Sequence, residues 1–333
     1  MKLTPEVEQE IREHLAEAQV RAERGEPMTR EMKEFMENVR LWAGMPEEWR
    51  EKLRSVEAMR KDSNSKEAFK RHLLPQQWLD LMHMAEAREE KNKRNWIDKT
   101  FKFPGDGKIQ AKGDLELRES TALTTIPEGL EVKGDLHLNS CCQLTTLRKG
   151  LKVGGSLWLE ECTSLSQLPE GTKVGRGLIL AGCTSLTTLS KGLEVGAGLN
   201  LGGCTSLSTL PDDMKVRGDL WLKGCTGITK LPDGLEVHGE LSLDGCTGLT
   251  RLPDWLTVER NLWFKECAEI TSLPEGLKVG GNFWLSDSPD LICLPDDLEV
   301  GGILYLSSDL DQHVRAQAKK LAKRGNIKKI EYF

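Results

Sequence analysis

The chain has 333 residues, enough for about two domains. Hydrophobic residues make up 38% and charged residues 29%, which excludes an intrinsically disordered chain, and 46 basic against 52 acidic residues leave a net charge of −6, no general footprint for nucleic acid. No run of about 18 apolar residues occurs, and Met1-Lys2-Leu3-Thr4-Pro5-Glu6 leads into no apolar stretch, so neither a membrane-spanning helix nor a classical secretory signal is expected.

Residues 1–98 read as a small helical domain. Val7, Ile11, Leu15 and Ala18 fall on one helical face behind a Thr4 cap and Pro5. Met28, Met32, Phe35, Val39 and Trp42 form a second stripe. Pro46 opens a third helix with Trp49, Leu53, Val56 and Met59 on one side. Ser65 caps a fourth, broken near Pro75, and a last helix carries Trp78, Leu79, Met82 and Ala85 into the charged stretch Arg88–Arg94. These stripes read as core. Residues 99–107 begin the N-terminal cap of a repeat region.

Residues 99–308 repeat every 21 residues. Seven cysteines, 141, 162, 183, 204, 225, 246 and 267, keep that step. Paired leucines of an L-x-L unit recur from Leu115/Leu117 to Leu304/Leu306, ten times without insertion, with Leu262/Phe264 and Phe283/Leu285 as variants. One repeat reads L-x-L-x-x-C-x-x-L-x-x-L-P-x-G-L-x-V-x-G-x. Alternation in L-x-L suits a short strand with both leucines inward. Pro and Gly after the second leucine pair favour turns over helix. A single coil cannot bury its own leucines, so stacked coils must do it, giving a parallel sheet with strands about 4.8 Å apart. The buried thiol column reads as packing in a reduced state, with disulfides between adjacent coils as the alternative.

Residues 309–333 form a cap. Asp309–Arg324 is expected as a helix with Leu310, Val314, Ala318 and Leu321 inward, stopped by Gly325 and followed by a strand over 327–333. Seven basic residues against three acidic ones make this cap positive, suited to a solvated face, with an acidic partner or nucleic acid as the alternative. The repeat region, with 20 basic against 28 acidic residues, argues against nucleic acid as a ligand.

The pattern in Leu220-Trp221-Leu222-Lys223-Gly224-Cys225-Thr226-Gly227-Ile228 resembles a leucine-rich repeat with Cys in place of Asn. Leu273-Pro274-Glu275-Gly276-Leu277 is similar to bacterial leucine-rich repeats, including those of secreted effector ligases. The resemblance implies an α+β chain with a leucine-rich-repeat-like parallel-β solenoid of about ten coils. The short repeat leaves little room for an outer helix, so a parallel β-helix is the structural alternative. It also implies a partner-binding module, with a bacterial effector acting on a host protein as a further option. The ligase activity is not implied: no cysteine is followed two residues later by Asp, and only about 25 residues of the sequence remain after the last repeat.

No zinc spacing, phosphate loop or nucleophile elbow is present, so no catalytic residue, metal or cofactor is expected. The functional signal is the middle residue of L-x-L, which faces outward. That column holds His137, Trp158, Trp221, Trp263, Trp284 and Tyr305, flanked by a polar rim that includes Asp219, Glu240, Lys223 and Lys265. Exposed indoles beside charges are the anatomy of a binding face. A non-enzymatic scaffold for a protein partner is therefore expected, in the cytoplasm or secreted without a classical signal. The alternatives are a glycan stacked on the Trp row, or aromatics that merely pack on one another or beneath the helical domain.

Overall fold

The computed structural model describes residues 13, 16–18, 20–21, 75–105 and 108–333. Of the first expected stripe only Ala18 is described, and it is buried; Val7, Ile11 and Leu15, the stripes over 28–42 and 49–59, and the Ser65 cap lie outside the described residues. The chain divides into two compact units, Met1–Glu86 with Glu90–Gln110, and Ala87–Glu89 with Ala111–Phe333.

In the first unit, helix α1 spans Pro75–Ala87. Pro75 is the first described residue of this helix, a first-turn position that needs no N–H donor. Trp78, Leu81, Met84 and Ala85 are buried while Leu79 is 43% exposed. Of the expected face Trp78, Leu79, Met82 and Ala85, Trp78 and Ala85 are buried, while Leu79 and the half-buried Met82 give way to Leu81 and Met84. A second helix, α2, spans Lys93–Thr100, and the Asn92 side chain caps it by accepting from the Asn95 N–H at 3.1 Å. Ile97 is its buried residue, and Trp96 meets Phe101 edge-on with ring centroids 5.5 Å apart.

The second unit is a parallel-β solenoid. Strands of the L-x-L row pair in register from Leu115 to Leu304, ten rungs separated by nine full turns of the chain. A valine row runs beside it, with Val132, Val153, Val174, Val195 and Val216 in one ladder and Val237, Val258, Val279 and Val300 in another. A third row consists of single bridges, such as Thr146 to Gln167 to Thr188 to Thr209. Three β rows therefore ring each coil, and no helix occurs among the described residues between 112 and 306. Closure by a third row, in the manner of a parallel β-helix, replaces the outer helix that a 21-residue repeat has no room for.

One coil shows how the sequence achieves this. Leu199, Leu201, Cys204, Leu207, Leu210 and Val216 all point inward and are buried. Leu199 and Leu201 donate their N–H groups to the carbonyls of Asp219 and Trp221, both at 2.8 Å, so the backbone of each rung is bonded to the next coil. Thr172 takes a late-leucine position and is buried, and its hydroxyl is satisfied by donating to the Pro169 carbonyl at 2.7 Å. The corner between the valine and L-x-L rows is where coils approach most closely. A Cβ on Gly218 would lie 2.9 Å from the Ala197 carbonyl carbon, so a side chain there would push the coils apart. The glycine excess belongs largely to such corners and turns.

The last rung, Glu299–Leu306, runs through the Gly301-Gly302 corner without a break and joins the valine and L-x-L rows into one sheet. Helix α3, Gln312–Arg324, follows, capped by Asp311 and ended by Gly325 at φ 85°. Leu310, Val314, Ala318 and Leu321 are buried, as the cap helix required. The strand Ile327–Tyr332 pairs in parallel with Glu299–Leu306 and covers the edge that the final coil would expose.

Candidate functional site on the L-x-L face

The middle residues of L-x-L form one unbroken file, because strand pairing sets Glu116, His137, Trp158, Ile179, Asn200, Trp221, Ser242, Trp263, Trp284 and Tyr305 opposite one another in sequence. In-register pairing at strand spacing leaves flat rings little choice but to stack. Trp263 and Trp284 lie parallel with centroids 3.8 Å apart, and Trp284 and Tyr305 follow at 5.0 Å. At the other end of the file His137 stacks on Trp158 at 5.7 Å. The inner faces of these rings are therefore covered by one another, and the outward surface of each stack is a row of ring edges.

Trp221 differs. Its file neighbours are the short Asn200 and Ser242, and it is 39% exposed where the stacked rings are half-buried. The structure thus separates the expected aromatic column into two edge-on stacks and one isolated indole between them.

The rim divides by role. Asp219 does not project freely. Its Oδ1 accepts from the Glu240 N–H of the next coil at 2.8 Å. Asp114, Asp135, Asn261 and Asn282 do the same for the next coil's amide, at 2.7–2.9 Å. The chain turns its corner here, so this amide finds no backbone partner and a side-chain oxygen serves it. Glu240 in turn accepts from Asn261 Nδ2 at 2.7 Å. Replacing Asp219 with Ala is expected to lower stability by about 1–2 kcal/mol, because the Glu240 amide is left without its acceptor. Urea unfolding of the variant checks it.

On the opposite flank Lys223, Asp244 and Lys265 stand on successive coils. Burial pushes the Asp244 carboxyl up, and Lys265 and then Lys223 pull it back. Its Oδ1 has no hydrogen-bond partner among the described residues. Lys265 Nζ lies 5.9 Å from the Trp263 ring centroid and 5.9 Å from that of Phe333. Lys265 therefore projects beside the aromatics and Lys223 is exposed on the same flank, while Asp219 and Glu240 hold the coil corner.

Beneath this face lies the thiol ladder. Each of the seven in-register cysteines is fully buried and donates its S–H to the second L-x-L leucine of the preceding coil, from Cys141 to the Leu117 carbonyl at 3.0 Å through Cys267 to the Leu243 carbonyl at 3.3 Å. All nine cysteines are free. Burial pushes the Cys162, Cys204, Cys225 and Cys267 thiols up to about 12. A protonated thiol is a poor nucleophile and a poor metal ligand. Of the two cysteines off the ladder, Cys142 is exposed. An aromatic disulfide reagent is expected to label Cys142 within seconds to minutes in the native protein and the seven ladder thiols only on unfolding, which thiol titration with and without denaturant measures.

Among the described residues no group of three or more His, Cys, Asp or Glu side chains is placed to hold a metal ion, and no helix is long and apolar enough to cross a membrane. Comparisons with protein-family models, with curated proteins and with solved structures found no match.

Proposed function

We propose that the chain is a non-enzymatic scaffold that docks a protein partner on the L-x-L face, as the leucine-rich-repeat pattern of its sequence suggests. The observation that carries this reading is the geometry of the aromatic file. A sugar ring binds an indole by lying flat on its face, and stacking within the file has taken both faces of Trp284 and one face of Trp263, beside which Lys265 also stands. What is offered outward is a ridge of edges, with Lys265 beside one stack and a half-exposed Trp221 in the gap between the stacks. Ridges of Trp and Tyr edged by charge suit the side chains of a protein surface. The thiol ladder supports a reducing compartment, because its S–H bonds exist only in the reduced form.

The test is affinity capture with the wild type and with a Trp263→Ala/Trp284→Ala variant, each first shown to keep its circular dichroism. A protein captured by the wild type, lost by the variant and weakened by salt supports the reading. Retention of every partner by a folded variant removes it. Capture of soluble glycans that survives high salt would favour the sugar alternative.

A further inference from the structure

A second indole sits on a different edge of the solenoid. Trp255 is 68% exposed and lies in the proline turn between the third row and the valine row, three residues ahead of Val258. Its backbone adopts φ 60°, the left-handed region, where the matching residue of six other coils is Gly (Gly129, Gly150, Gly171, Gly192, Gly234 and Gly276). For a bulky residue that conformation is unfavourable. The indole is held down on one side. A Cβ added to Gly276 would lie 2.7 Å from Cδ2 and Cζ3 of Trp255, so the ring covers Gly276 of the next coil, and the Trp255 N–H donates to the Glu275 carbonyl at 3.0 Å. No ring or cation stands over it among the described residues.

The residues that follow the turn prolines have one sign of charge. The residue after each turn proline is Asp212, Asp233, Asp254, Glu275 and Asp296 on five successive coils, all exposed. Like charges in register at strand spacing repel one another. Arg251 reaches Asp233 at 3.8 Å. At the far end Asp296 is met by two cations of helix α3, Lys320 at 3.6 Å and Arg324 at 3.5 Å. The protein thus already covers one end of this row with a basic helical face of its own, and Asp254 and Glu275, beside Trp255, have no ion pair among the described residues.

We propose that Trp255, with Asp254 and Glu275, is a docking site for a Lys/Arg-rich segment of a protein partner. A guanidinium lies over the open indole face while neighbouring cations neutralise the two carboxylates, repeating on Trp255 what α3 does on Asp296. The sign of the charge disfavours nucleic acid and anionic lipid. The site is separate from the L-x-L face and stands or falls independently of it.

The probe is a short fluorescein-labelled peptide of alternating arginine, alanine and lysine, titrated with the full chain and read by anisotropy and by indole fluorescence. A glutamate-for-cation peptide and a single-stranded oligonucleotide serve as controls. Trp255→Gly restores the repeat's usual residue and removes the unfavourable φ, so it is expected to melt at or above the wild-type temperature. The expected result is binding of the basic peptide alone, weakened about tenfold by Trp255→Gly, weakened comparably by Asp254→Asn/Glu275→Gln, and reduced by salt. Equal affinity for wild type and folded Trp255→Gly, or binding of the oligonucleotide in preference to the basic peptide, overturns the proposal.

Discussion

Raising the pH from 8 to 10 is expected to strip most of the stability from the solenoid. The cause is the thiol ladder. Burial holds Cys162, Cys204, Cys225 and Cys267 protonated up to about 12, against 9.0 for an exposed thiol. The folded state therefore binds more protons than the unfolded state at any pH between about 9 and 12, and stability must fall as pH rises through that window. At pH 10 each of these four thiols contributes a loss on the order of 1 kcal/mol, and more at pH 11. Four together remove on the order of 5 kcal/mol at pH 10, comparable with the whole stability of many domains. Cys183 and Cys246 are shifted in the same direction and add to it. Below about pH 8 the ladder is fully protonated in both states and contributes no slope. Urea unfolding followed by circular dichroism at pH 8 and pH 10 measures the effect. A Cys204→Ala/Cys225→Ala variant, less stable at pH 8, is expected to lose less between the two pH values than the wild type. An unchanged urea midpoint would contradict the picture of seven buried thiols.

Leu201→Ala is expected to destabilise the protein by about 3 kcal/mol. Leu201 is fully buried in a middle coil, between Leu180 and Leu222 of the adjacent rungs. Its replacement opens a cavity that neighbours bonded to the same ladder cannot collapse into. Solenoid stability is a sum of coils and of the interfaces between them, so a defect in the middle weakens two interfaces and uncouples the flanks. The variant should unfold with a broadened transition, seen as a lower slope in urea. A sharp, unshifted transition would show that adjacent coils do not share their core.

What was legible in the sequence was whatever the period repeats. The inward leucines, the thiol column, the turn prolines and the Gly325 stop of the cap helix all come from residue type at fixed spacing. Three features escaped because each depends on a contact between coils or on an exception to the pattern. Asp219 reads as a free rim charge until the next coil places the Glu240 amide 2.8 Å from it. The third row consists of single bridges at polar residues such as Thr188, with no apolar alternation to mark it. Trp255 reads as one more tryptophan, although its place in a column of glycines was visible. In the first unit the charged run Arg88–Arg94 concealed the start of α2, whose signal was the Asn92 cap. The outward file itself was legible, but not its division into stacks, since ring geometry is set by the register.

The most direct test of the central claim places a photo-crosslinking residue at Asn200, beside Trp221 in the L-x-L file, and in a second protein at Thr209 on the third row. Both proteins are irradiated in the presence of a partner captured by the wild type. Crosslinks formed from position 200 and absent from position 209 are the predicted result. Crosslinks from position 209 alone would show that the partner docks elsewhere and that the aromatic file serves the fold.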